Sequence, residues 1–309
     1  MTRILVTSAS GANGDGYGTL LCFSAGGELA GPFSNDPRIT DPRGLSLSPA
    51  GDLIYVNSGD DRVLALDKNG NVTLDSGRKE GLDAGGGTFA PDGRYCVTLR
   101  RRGTILALPP RLDTEGEPLL PDGTVPFPRG LGFGDDGQLY LSSGIGPSGE
   151  GNNTITRFGR DGKLRNPRLV IDPELSPLDL AIAPGGNLVV SSEWPFGSPG
   201  ATATIREYDP STGRLVRVLA SEPAVNFARP RGLRFGPGGQ LYCVGQDHVI
   251  AFDFPARKFL GVIAELRKLN GQAVLAAEVA AAAPFGERAP LVPPADAATR
   301  SSRSLRSSE

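Results

Sequence analysis

Three arginines stand in one local context at three distant places in the chain: Pro42-Arg43-Gly44-Leu45, Pro128-Arg129-Gly130-Leu131 and Pro230-Arg231-Gly232-Leu233. A guanidinium stays charged at physiological pH and presents a planar fork of donors. Three of them brought together would hold a carboxylate or a phosphate. The same arginines could instead serve the fold, by bridging to backbone carbonyls or to acids of neighbouring segments. Acid–base candidates are few, because the chain has one histidine. Glu193 lies beside Trp194, the only tryptophan, and near Phe196 in a loop rich in Gly and Pro. A carboxylate beside an apolar wall suits a general base. Asp179 could act as a base or a metal ligand, or pair with a nearby arginine. His248 follows Asp247 in another loop and could transfer protons or simply be hydrogen bonded.

Other chemistries are excluded. One histidine rules out a multi-histidine metal centre. The three cysteines, Cys22, Cys96 and Cys243, are too scattered for a zinc cluster or a disulfide framework and read as reduced, buried residues. Asp67-Lys68-Asn69-Gly70-Asn71 opens like a calcium loop but is too short and lacks the distal glutamate, so it reads as a hairpin turn. No metal and no cofactor are expected. The strand-and-glycine run Ile4–Gly14 resembles the start of a dinucleotide fold, but no amphipathic helix follows it. Lys and Arg total 32 against 34 Asp and Glu, so no overall positive field exists to hold nucleic acid or an anionic membrane. Arg100, Arg101 and Arg102 lack stacking aromatics and read as a solvated loop. No stretch approaches the roughly 18 apolar residues of a membrane span, and the first residues lack the apolar core of a secretory leader. Cytoplasmic residence is the expectation.

The elements that must position these residues come from a repeat. Gly (43) and Pro (27) are abundant, about twice their usual share of roughly 12%, which points to tight turns. The arginine context continues as PRGLSLSPAGDLIYV, PRGLGFGDDGQLYLSS and PRGLRFGPGGQLYCVG, with weaker copies from Leu82 and Pro177. Their turn glycines, Gly51, Gly93, Gly137, Gly186 and Gly239, are 42, 44, 49 and 53 residues apart. Each copy alternates apolar and polar residues, turns at an Asp-Gly or Gly-Gly pair, alternates again, and turns once more. Four antiparallel strands in about 45 residues is a propeller blade. A sixth blade is split: the N-terminus supplies its later strands, and Leu269–Leu275 matches the missing first one. The expected fold is an all-β, six-bladed propeller over residues 1–282, its ring closed by a C-terminal strand that completes the N-terminal blade. An alanine-rich helix around 276–283 is the competing reading. Residues 283–309, rich in Pro, Ala, Ser and Arg, read as a disordered tail.

The PxGLxFxxxGxLYxxx pattern, over residues 3–278, resembles the NHL-repeat and regucalcin/gluconolactonase-like six-bladed propellers. The resemblance implies a ligand site on the face where the chain enters each innermost strand. The residue before each Gly-Leu would line the channel mouth there, in the order Asn270, Arg43, Gly85, Arg129, Leu178 and Arg231. It also implies that the enlarged loops 143–153 and 192–200 share that face. Calcium-dependent lactonases of the group hold metal with an early glutamate and with Pro-Asn-Gly and Pro-Asp-Gly motifs. Here no glutamate occurs before Glu28, the Pro-Asn-Gly positions carry Arg43, Arg129 and Arg231, and the later slot reads Pro177-Leu178-Asp179, so that metal set does not transfer. Streptogramin-lyase-like propellers rely on histidines, and this chain offers only His248. Two functions remain. The mouth could bind a small anionic molecule through Arg43, Arg129, Arg231, Asn270 and Trp194, and act on it as a hydrolase, lyase or isomerase through Glu193, Asp179 or His248. Alternatively, the propeller is a non-catalytic scaffold for a protein partner.

Overall fold

The structure, a computed structural model, describes residues 2–10, 16–145, 149–193, 203–219 and 229–278. These form six four-stranded antiparallel sheets. Blade 1 contains β1 (Thr2–Ser8), β2 (Leu20–Ser24) and β3 (Leu29–Pro32). Blade 2 is β4 (Gly44–Leu47), β5 (Ile54–Ser58), β6 (Arg62–Leu66) and β7 (Val72–Asp75). Blade 3 is β8 (Ala84–Phe89), β9 (Tyr95–Leu99), β10 (Thr104–Leu108) and β11 (Glu117–Pro118). Blade 4 is β12 (Leu131–Phe133), β13 (Leu139–Ser143), β14 (Thr154–Phe158) and β15 (Leu164–Asn166). Blade 5 is β16 (Pro177–Ile182), β17 (Leu188–Ser192), β18 (Thr204–Tyr208) and β19 (Leu215–Leu219). Blade 6 is β20 (Leu233–Phe235), β21 (Gln240–Val244), β22 (His248–Asp253) and β23 (Lys258–Glu265). The last strand, β24 (Gly271–Glu278), returns to blade 1.

The hairpin between the first and second strand of a blade needs a residue with positive φ, which costs glycine nothing. All five repeat glycines take it: Gly51 (72°), Gly93 (86°), Gly137 (75°), Gly186 (92°) and Gly239 (80°). The second hairpin of blade 2 is the Asp67 turn. The Asp67 carboxylate accepts the N–H groups of Asn69 at 2.8 Å and Asn71 at 2.9 Å. That turn is the one read from the sequence.

Side chains alternate across a strand, and here both faces of each sheet are covered. One apolar cluster lies between each pair of neighbouring blades, six in all. Leu5 of β1 joins the core between blades 1 and 2. Ile4 and Val6, its neighbours, join the core between blades 6 and 1. Burial on both faces is why the middle strands read as near-continuous apolar runs. Cys22, Cys96 and Cys243 are free thiols within these cores, and burial pushes Cys96 up to about 12.

The first strands of successive blades touch one another around the axis, from β4 through β20 to β24 and back to β4. Closure is antiparallel pairing of β24 with β1, from Thr2 opposite Glu278 to Thr7 opposite Ala273. The stretch to Glu278 is therefore strand rather than helix. Among the described residues, no helix is long and apolar enough to cross a membrane. The tail read at 283–309 and Trp194 lie outside the described residues.

Ending the chain after residue 266 removes β24, leaves blade 1 with three strands and uncovers two of the six cores. We expect an early, broad thermal transition for that truncation, while a chain ending at 283 melts cooperatively at the full-length temperature. Circular dichroism melts of the two truncations check this.

Candidate functional site

The mouth residues are held through their backbone. In the three arginine blades the N–H donates to the end of the blade's own second strand: Arg43 to the Asn57 carbonyl at 2.9 Å, Arg129 to Ser142 at 2.9 Å, Arg231 to Val244 at 2.8 Å. In four blades the mouth residue's carbonyl accepts from the preceding blade, each time from the fourth residue of its second strand. Asn57 Nδ2 donates to Gly85 at 2.8 Å, Thr98 Oγ1 to Arg129 at 2.7 Å, Ser142 Oγ to Leu178 at 2.6 Å and Ser191 Oγ to Arg231 at 2.5 Å. These are the buried polar side chains of otherwise apolar strands, and their bonding to the next blade accounts for them. Two positions before the mouth residue, the backbone is left-handed in five blades: Asp41 (46°), Asp83 (37°), Phe127 (45°), Arg229 (53°) and Lys268 (60°).

The mouth encloses a cavity of about 70 Å³ whose lining includes Arg43, Arg100, Arg129, Arg231 and Arg234. That is several times the space, about 10–15 Å³, that one buried water needs. Among the described residues Asp179 is the one acid of the lining, which also includes Gln272. Among the described lining residues there is no Ser, Cys, His, Lys, Tyr or Glu.

Four of the five guanidiniums have an acid. Arg43 Nη1 lies 2.7 Å from Asp83, with Asp41 at 3.7 Å. Arg100 shares Asp83, and burial pushes the Asp83 carboxyl up despite the arginines around it. Arg231 donates to Glu193 Oε1 from Nη2 at 2.9 Å and from Nε at 3.2 Å. Arg234 meets Asp179 Oδ2 at 2.7 Å. Arg129 has none among the described residues. Its guanidinium lies over the Phe127 ring, 4.5 Å from the centroid, and its Nε is shut off from solvent with no hydrogen-bond partner. Loss of hydration pushes Arg129 down to about 10, and the charges of Arg231 and Arg43 push the same way against Glu193 and Glu150. Its folded pKa thus lies below the unfolded one, and the unfolded chain holds the proton more tightly. Arg129 therefore lowers stability at neutral pH, a deficit that shrinks as pH rises past about 10.

Arg234 floors the cavity. From blade 6 its Nη2 reaches the Gly87 carbonyl of blade 3, directly opposite, at 3.3 Å. Asp179 ties this floor to blades 5 and 6: Oδ2 also accepts the Leu233 N–H at 3.0 Å, and Oδ1 accepts the Leu180 N–H at 2.9 Å. It packs against blade 4 as well, where a Cβ on Gly130 would fall 2.3 Å from Oδ1.

The remaining sequence candidates are placed as follows. Glu193 directly follows β17, is 2% exposed, and serves Arg231. Asn270 stands behind the lining: its Oδ1 lies 3.5 Å from Arg231 Nη1, and its Nδ2 donates to the Ala9 carbonyl at 3.1 Å. His248 begins β22, pairs across the strand with Glu265, and is not in the cavity lining. Burial lowers its pKa, outweighing the charges of Asp247 and Glu265. Trp194 lies outside the described residues.

Three residues of the site were not read from the sequence. Arg234 stands where the aligned copies have Ser46 and Gly132, and that mismatch was its signal. Arg100, read with its neighbours as solvated, turns into the cavity through the space that Gly85 leaves, where a Cβ would lie 3.2 Å from Arg100 Cγ. The third is Phe127, which lies outside the repeated PRGL motif and carries no signal within it.

The chain matches no protein-family profile and no curated protein sequence. Solved structures share its fold. A chain of the nidogen/laminin complex is 17% identical and superimposes with a TM-score of 0.68 over 90% of this chain and 99% of that one. A putative gluconolactonase is 19% identical, with a TM-score of 0.57 over 74% of this chain and 79% of that one. A streptogramin B lyase is 17% identical, with a TM-score of 0.51 over 68% of this chain, which spans 65% of the lyase's length. The protein is a six-bladed β-propeller. At such identities the likeness is one of fold, which these neighbours put to different uses.

The Asp179–Arg234 floor gives a quantitative expectation. Asp179→Ala leaves a buried guanidinium unpaired and should cost about 3–5 kcal/mol, whereas Asp179→Ala with Arg234→Met removes both charges and should recover most of that loss. Urea unfolding of the two single variants and the double variant measures it.

Proposed function

We propose that the channel mouth binds a small oxyanion, a carboxylate or phosphate group, with Arg129 as its main contact and Arg43, Arg100 and Arg231 around it. The observation that carries this reading is the missing partner of Arg129. Among the described residues, every other guanidinium of the cavity has a carboxylate in contact, while Arg129 is stacked on a ring with none. An anion seated there would complete the pattern, and a planar fork suits two oxygens of one group.

The geometry supports binding better than turnover. Glu193 and Asp179 each already hold an arginine, and His248 stands outside the cavity. A general base must reach the proton that it removes, and none of the three is free to do so at the mouth. A second reading, a scaffold for a protein partner, is favoured by apolar side chains exposed on outer strands: Leu215, Val216 and Val218 of β19, and Leu260 and Val262 of β23. The two readings part at the arginines.

Melting temperature in inorganic phosphate, citrate and chloride at constant ionic strength separates them. A ligand at about 100 times its Kd adds roughly 2.7 kcal/mol of stability, so phosphate or citrate should raise the melting temperature of the wild type by several degrees over chloride. Arg129→Met should melt at or above the wild type without anion, because a poorly solvated charge is gone, and should not respond to phosphate. A wild type indifferent to both anions, with a destabilised Arg129→Met, would make Arg129 a brace and favour the scaffold.

A further inference from the structure

The position two places before the mouth residue, left-handed in five of the six blades, recurs around the mouth, and its composition is uneven. Blades 2 and 3 place Asp41 and Asp83 there, and both lie against Arg43. Blade 4 places Phe127 there, and the aligned residue of blade 5 is Ser176. Arg129 therefore lacks an acid in its own blade's place and in the next blade's place, the two places that neutralise Arg43. Aspartate tolerates a left-handed backbone with little penalty, but a bulky side chain at φ 45° is a genuine outlier. Strain of this kind persists where the surroundings impose it, and it clusters at ligand sites. The Phe127 ring lies under both Arg129, at 4.5 Å, and Arg100, at 5.7 Å. A ring face attracts a cation without cancelling its charge, and it leaves the in-plane N–H edge free for a guest.

We propose that Phe127 is the residue that makes blade 4 the ligand-binding blade: it occupies the place of a neutralising aspartate, so that Arg129 keeps its charge for an external oxyanion. The proposal rests on the anion reading of the mouth and adds to it a specificity determinant outside the arginine set. Its chemistry also defines the guest as one that supplies the charge an aspartate would have brought.

The test compares Phe127→Asp with Phe127→Asn. The two new side chains share size and tolerance of the backbone and differ in charge. Inorganic phosphate binding is read by calorimetry and by the shift in melting temperature. Phe127→Asn should keep phosphate affinity within about threefold of wild type, while Phe127→Asp should weaken it at least about tenfold and melt no lower than Phe127→Asn, since its carboxylate pairs with Arg129. Asp83→Asn gives the converse and does not depend on how the Phe127 variants fold: removing the acid at this position in blade 3 should tighten phosphate binding. Equal phosphate affinity in the two Phe127 variants, or weaker binding in Asp83→Asn, overturns the role of the ring while the wild-type response stands. A wild type that ignores phosphate overturns the anion reading and this proposal with it.

Discussion

Six first strands packed around one axis bring the residues that lead into them to one mouth, and here the repeat puts arginines at three of those six places. Like charges converging on a cavity of about 70 Å³ repel, and the less water the cavity holds, the less that repulsion is screened. The positions of the nearby acids follow from this constraint. Asp83 serves two arginines from its site between blades 2 and 3, Glu193 reaches Arg231 from blade 5, and Asp179 meets Arg234 beneath. Three of these pairs, Arg43–Asp83, Arg231–Glu193 and Arg234–Asp179, also join neighbouring blades, so charges that would push the mouth open instead tie it together. The exception is Arg129, and the exception is local to one blade.

The same geometry explains how much of the protein was legible in its sequence. The blades were readable because their determinants are local: alternation within a strand and a glycine at each hairpin. Closure was readable too, since Leu269–Leu275 repeats the pattern and a split blade needs an inner strand. The mouth arginines could be placed because the repeat numbers positions around the axis. What could not be read was pairing across the ring. Arg234 meets a carbonyl in the opposite blade, some 147 residues away, and Arg100 enters a gap left by a glycine of its own blade. Such contacts depend on the depth and rotation of side chains in a channel, which one strand's sequence does not encode. Phe127 was missed for a related reason. Its meaning lies in the contrast with Asp41 and Asp83, and that contrast appears only when positions outside the strands are aligned as well.

The polar residues of the second strands show how a site can be held rigid without loops of its own. Asn57, Thr98, Ser142 and Ser191 each bond the carbonyl of the mouth residue in the next blade, so the backbones of Arg129 and Arg231 are each anchored by two sheets. A small shift of one blade would have to break these bonds and disturb the packed core beside them. Anchoring of this kind suits a site that must keep several cations at fixed separations, because relaxation outward would otherwise relieve the repulsion.

Rigidity also bears on why one unpaired arginine is tolerable. A flexible mouth would let Arg129 swing toward Glu193 or Glu150, whose charges already act on it, and the uncompensated state would vanish. Stacking on Phe127 removes that freedom by holding the guanidinium by its face, while Thr98 and Gly86 hold its backbone. The strained backbone of Phe127 is in turn sustained by Pro128 and by the bond from the Arg129 N–H to the Ser142 carbonyl, which fix the chain on its entry to β12. The fold can carry the stability that Arg129 forgoes because an apolar core is buried at each of the six interfaces between neighbouring blades.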